Sequence, residues 1–241
     1  MGLLDKVAGI RIFTEFSMLL QETRPWAILA RLNALGVLTA IHPRLVIGGT
    51  TERRFQRTAE VLTWHELQYL AEQPVPWRVY LLVLLEERPG TEARAILRRL
   101  SPPPKTADTI GRGLVRLRAL ARSLLRARGV VPSRVYRCLA DAPVEVVLAL
   151  MAVMVRPELR KAIGDFLSAK GRVRPFLRGD DLRALGIRPG PIYRDILNSL
   201  LYARLDGHVQ SRDDELRFVR RRFARVFVAG RETSGPPSVV R

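Results

Sequence analysis

Proline and glycine cut this chain into pieces of helical length, and that punctuation limits what it can fold into more than any other feature. Breaks fall at Thr23-Arg24-Pro25, His42-Pro43, Gly48-Gly49-Thr50-Thr51, Pro74-Val75-Pro76, Arg88-Pro89-Gly90 and Ser101-Pro102-Pro103-Pro104. Further on, Pro132, Pro143, Pro157 and Pro191 each stand near the first turn of a segment, where the missing N–H is not needed and the fixed φ suits a helix. Between breaks, apolar residues recur at helical spacing, as in Trp26, Ile28, Leu29, Leu32 and Leu35. The pattern predicts an all-α fold, an elongated array of many helices. The run Val79, Leu81, Leu82, Val83, Leu84, Leu85 is readable as a buried helix or a buried strand, and its length without a turn-linked partner strand favours the helix. Val146–Val155 reads as a second core helix, too short for the ~20 apolar residues of a membrane span.

The clearest linker is the proline run at 101–104, which suggests a helical region over 1–100, a connection over 101–110, a second helical region over 111–229 and a disordered tail over 230–241. A helix over roughly 51–72 would take Thr50 or Thr51 as its cap. Those glycines are not a phosphate loop, because no lysine follows and no alternating strand precedes them. In Gly179–Gly207, Asp180 or Asp181 would cap a short helix closed by Gly186. Pro189-Gly190-Pro191 would turn into a second helix that buries Ile192, Ile196, Leu200 and Ala203 and stops at Gly207. The exposed start of that second helix, with Arg188 before it and Gly190 allowing close approach, is a candidate phosphate seat. The bland alternative is an ordinary helical hairpin. Ser211 would cap a last helix, acidic at its start and basic at its end.

A formal charge of +18 favours a polyanionic partner through counterion release. Arginine supplies 37 of the 41 basic residues, which suits bidentate phosphate recognition, although a coding bias towards Arg, Ala, Gly and Pro would give the same ratio. No acidic residue occurs between Asp108 and Asp141. At 100° per residue, Arg112, Arg116, Arg122 and Arg126 share an arc of about 120°, opposite Leu117, Leu120, Ala121 and Leu124. Such a face is a stripe for an RNA backbone, a merely solvated face, or an interfacial membrane helix. The loop from Lys170 to Arg178 adds Arg172 and Arg174, with Phe176 read first as a core side chain and second as a base-stacking ring. The single Cys138 excludes an internal disulfide, and with no signal-peptide pattern at the amino end the expected compartment is the cytoplasm.

The run Asp181-Leu182, Leu185-Gly186-Ile187, Pro189-Gly190-Pro191, Ile196-Leu197, Ala203 and Leu205-Asp206-Gly207 resembles the C-terminal region of bacterial class II tRNA nucleotidyltransferases and their poly(A) polymerase relatives. The stretches Gly9–Phe16, Leu32–Leu38 and Ile41-His42-Pro43 resemble the neck and body of the same family, while residues 50 to 175 match in texture more than in spelling. The resemblance implies a neck, body and tail that grip the acceptor–T arm of tRNA or another structured RNA. Magnesium and CTP or ATP would belong to a separate β-sheet head, and this chain would take no cofactor.

The family's head carries Asp-x-Asp for two-metal phosphoryl transfer and a Glu-Asp-x-x-Arg element that selects the nucleotide. Neither spelling occurs here. Asp180-Asp181 and Asp213-Asp214 are better helix caps than metal ligands, and His42, His65 and His208 form no ligand motif. The expectation is a chain that binds and is inactive alone, with Arg112, Arg116, Arg122, Arg126, Arg172, Arg174, Arg188 and Gly190 as contacts. The alternative is a basic all-α module for protein interaction.

Overall fold

A computed structural model describes residues 9–224. All regular secondary structure among them is α-helical. Contacts divide the chain into two compact units: one runs to Val130 and takes Cys138–Ser168, and the other takes Val131–Arg137 and continues from Ala169.

The first unit holds α1 (Gly9–Leu19), α2 (Pro25–Ala34), α3 (Val37–Ile41), α4 (Gly49–Leu67), α5 (Pro76–Glu86), α6 (Gly90–Leu100) and α7 (Pro104–Arg126). After α8 (Pro132–Leu139), most of which belongs to the second unit, it adds α9 (Val144–Val153) and α10 (Pro157–Ala169). Its centre is α5 packed on α9, with α4 and α7 against both. These two central helices are apolar on all sides, as a helix surrounded by others must be: Val79–Leu85 are all buried, as are Val146–Leu150. The ambiguous run is therefore a helix. At the periphery α1 meets α6 so closely that a Cβ on Gly9 would lie 2.6 Å from Ser101 Cβ and 2.9 Å from Arg99 O.

Proline marks the helix starts well. Pro25, Pro76, Pro104 and Pro191 stand in the first turns of α2, α5, α7 and α12 (Pro191–Leu205), and Pro143 is the residue before α9. Some local expectations need correction. The left-handed Gly36 (φ 72°) ends one helix and begins another, where Leu32–Leu38 reads as a single segment. Neither threonine caps α4: the helix begins after Gly48, and Thr51 is buried, donating its hydroxyl to Glu87 Oε2 at 2.7 Å. Pro104 opens α7, so only Ser101–Pro103 of the 101–110 stretch lies outside a helix.

The second unit is built on α11 (Gly179–Ala184), α12 and α13 (Arg212–Arg222) around Leu177, Leu182, Ile187, Ile196, Leu200 and Val219. Gly186 and Gly207 are left-handed at φ 80° and 75°, and both helix ends close with backbone bonds, Ile187 N–H to Leu182 O and His208 N–H to Ala203 O. Ser211 caps α13 as expected, its Oγ accepting from Asp214 N–H at 3.1 Å. At α11 the cap residue is Arg178, and Asp181 accepts the Arg178 N–H at 2.7 Å from inside the first turn. Asp206 accepts the Ser133 N–H at 2.9 Å, a carboxylate at the positive end of α8. The expected tail at 230–241 lies outside the described residues.

Candidate nucleic-acid interface

Several arginines are internal staples that bond to carbonyls and carboxylates inside the first unit. Arg118 turns its guanidinium onto the end of α5 and the turn that follows it: its Nη2 donates to Leu85 O at 2.9 Å and also to Arg88 O. Arg57 reaches Ala152 O at 3.3 Å and Met154 O at 3.4 Å at the end of α9. Arg54 pairs with Glu86 at 2.6 Å and Glu87 at 3.3 Å, and Arg88 donates to Arg44 O at 3.0 Å and Val46 O at 2.8 Å. A helix leaves four carbonyls unbonded at its C-terminus with a negative dipole end, and guanidinium answers both.

What remains outside is ordered. Leu114, Leu117, Leu120, Ala121 and Leu124 bury one face of α7, while Arg112, Arg116, Arg122 and Arg126 are all exposed on the other. At 1.5 Å per residue they extend over about 21 Å. Arg112 pairs with Asp108 at 2.5 Å, but both side chains are largely exposed, so the pair contributes little. Arg116 spends one donor on Cys138 O at 3.0 Å, and Arg122 donates Nε to Arg118 O at 3.3 Å. Beside the row, between α6 and α7, a cavity of 740 Å³ has Ala93, Leu97, Leu114 and Val115 on its apolar side and Arg94, Arg112 and Arg116 among its polar lining.

Arg172, Arg174, Arg188 and Gly190 belong to the second unit, a separate group from the α7 row. All four are exposed. Arg174 Nε donates to Gly171 O at 3.3 Å, within its own loop. Gly190 precedes α12 in extended backbone (φ 167°, ψ −170°), and no atom lies within 4 Å of where its Cβ would be. Packing does not require glycine there, and no side chain caps the first turn of α12.

Phe176 is not a core residue. It is 46% exposed, with the Arg204 guanidinium 4.0 Å from the ring centroid. Beneath both lies Glu215, fully buried, whose carboxylate accepts the Phe176 N–H at 3.0 Å and the Leu177 N–H at 2.7 Å and faces Arg204 Nη1 at 3.4 Å. Sequence reading places Glu215 only as a favourable charge at a helix start. Nothing local marks it as the residue that ties down the basic loop.

No group of three or more His, Cys, Asp or Glu side chains is placed to hold a metal ion among the described residues. The acidic pairs do helix work. Bonds from the Ser211 hydroxyl and from the Gln210 and Ser211 N–H groups hold the Asp214 carboxyl down to about 2. The Arg178 N–H and then Arg212 lower that of Asp181. His42 Nδ1 accepts the Arg44 N–H at 3.3 Å in a turn, and His65 is buried. Among the described residues no helix is long and apolar enough to cross a membrane.

Residues 1–47 match the family described as "Probable RNA and SrmB-binding site of polymerase A". The chain is 35% identical over 225 residues to the A-adding tRNA nucleotidyltransferase of Geobacter sulfurreducens, covering 92% of this chain and 26% of that protein. The A-adding tRNA nucleotidyltransferase of Halalkalibacterium halodurans is 29% identical over 76 residues, 32% of this chain and 18% of the relative. The Thermotoga maritima CCA-adding enzyme in complex with tRNA shares the fold at a TM-score of 0.73 and 19% identity, over 91% of this chain and 53% of that one. The chain thus spans about a quarter or less of these curated relatives and about half of the solved enzyme. Over about nine-tenths of its length the chain is thus similar in sequence to part of an A-adding tRNA nucleotidyltransferase and shares the fold of about half of a CCA-adding enzyme.

Proposed function

We propose that this chain is an RNA-binding region that holds the acceptor–T arm of tRNA while a catalytic domain adds nucleotides at the 3′ end. It does no chemistry itself, and magnesium and CTP or ATP belong to that domain. The observation that carries this reading is the exposed arginine row on α7, which persists after the arginines engaged inside the fold are discounted. The match of residues 1–47 to an RNA-binding family and the shared fold with an enzyme solved on tRNA support it. Arginines that follow one another at about 6–9 Å along one helix face track a phosphate backbone without reading bases, so selection rests on A-form shape. Arg172, Arg174 and Arg188, with the open first turn of α12 at Gly190, extend the contact set.

Binding of a tRNA transcript to the full chain, measured against salt, tests this. Replacing Arg122 and Arg126 by Ala lowers the slope of log K against log salt by about one unit per lost phosphate contact. An unchanged slope rejects the reading. One feature favours a second class: the cavity between α6 and α7, with its apolar side and arginines, suits an acidic helix of a protein partner. Retention of an acidic protein through a high-salt wash, with no affinity for RNA, would select it.

A further inference from the structure

The second unit holds an aromatic ring in place without burying it. Phe176 sits in the loop between α10 and α11, next to Leu177, which is in the core at 1% exposure, yet its own ring stays 46% exposed. Three constraints fix that ring. The N–H groups of Phe176 and Leu177 are both bonded to the Glu215 carboxylate, so the loop cannot swing. Glu215 is fully buried, which is tolerable because two N–H donors and the Arg204 guanidinium surround its carboxylate. Arg204, only 21% exposed, lies against one face of the ring at 4.0 Å. With Arg204 against it, Phe176 still keeps 46% of its surface open to solvent.

We infer that Phe176 is a stacking platform for an unpaired nucleobase of the bound RNA. This rests on the RNA-binding reading above and deepens it. A free aromatic face offers dispersion and area to any flat ring, and a guanidinium on the far side completes an arrangement of cation, ring and base. The same loop supplies cations for the adjoining phosphates: Arg172, Arg174 and Arg178 are all exposed, with Asp180 the nearest exposed acid in sequence. An aliphatic or acidic peptide would gain from the ring or from the charges, while a nucleotide gains from both. Holding the ring before binding removes the ordering cost that a mobile side chain would impose.

The test uses the full chain and a short single-stranded oligoribonucleotide of mixed sequence carrying one 2-aminopurine, with a tRNA transcript in parallel. The wild type quenches the 2-aminopurine on binding. Phe176→Leu lowers affinity by roughly 5- to 150-fold, the range for losing one stacked base, removes the quenching and leaves the salt slope unchanged, while Phe176→Trp restores affinity. Equal affinity and equal quenching for the Leu variant would overturn the inference while leaving the RNA-binding reading standing. A reduced salt slope in that variant would also overturn it, because the ring would then be positioning the arginines. Failure of every variant and the wild type to bind either RNA overturns both readings. Thermal melts of the Leu variant should match the wild type, since the replaced ring is outside the core.

Discussion

Arg118 and Arg122 stand one turn apart on α7, and the structure gives them opposite work. Replacing Arg118 by Met keeps the aliphatic stem but removes the donors to Leu85 O and Arg88 O at the end of α5 and the turn that follows it. A hydrogen bond from a charged group contributes about 1.5–3 kcal/mol, and a buried acceptor left bare costs about 1–3 kcal/mol. Two such carbonyls in a partly buried setting put the loss at roughly 2–4 kcal/mol, with the third contact, to Glu86 O at 3.4 Å, adding little. For a chain of this size that is a fall in Tm of about 5–15 °C. All three tryptophans, Trp26, Trp64 and Trp77, lie in the first unit, so tryptophan fluorescence follows the unit that contains Arg118. Arg122→Met, on the exposed face, should stay within about 0.5 kcal/mol of wild type and lower the salt slope of tRNA binding, which Arg118→Met leaves alone. Coincident melts of the two variants would refute the division of arginines into those that hold helix ends and those that face a ligand.

Two further outcomes follow from buried charge. Burial lowers the pKa of His65 despite the opposing Glu72, and its Nε2 has no hydrogen-bond partner among the described residues. Its neutral form is favoured in the fold, so stability is full above the unfolded value near 6.5 and falls as pH drops through that value towards the lower folded one. Urea midpoints read by tryptophan fluorescence at pH 7.5 and 5.5 should diverge for wild type and converge for His65→Gln. Glu215→Ala strips the Phe176 and Leu177 N–H groups of their acceptor and leaves Arg204 uncompensated, at a cost of about 3–5 kcal/mol. Hydrogen exchange at those two amides should accelerate strongly, and to a lesser degree in Glu215→Gln, which keeps one acceptor oxygen.

The fold is legible in the sequence where its cause is local. Pro25, Pro76 and Pro191 act on the turn they stand in, and Gly186 and Gly207 adopt left-handed φ at the helix ends they close. The α7 face is also local, because a period of 3.6 residues fixes which side chains share a side. What the sequence hides are choices between two partners that only the fold brings near. Arg118 and Arg122 are the same residue type on one helix, and nothing within a few positions says that one of them meets the end of α5. Thr51 looks like a cap until Glu87 lies within 2.7 Å of it. Phe176 looks like core because aromatic rings usually are; it is outside because Leu177 takes the inward place and Glu215, from α13, pins the backbone between them. In a chain with 37 arginines, the count alone therefore says little about a ligand. The informative quantity is which guanidinium groups stay exposed after internal partners have taken their donors, and on α7 the row of four does, although Arg112 pairs with Asp108 and Arg116 gives one donor to Cys138 O.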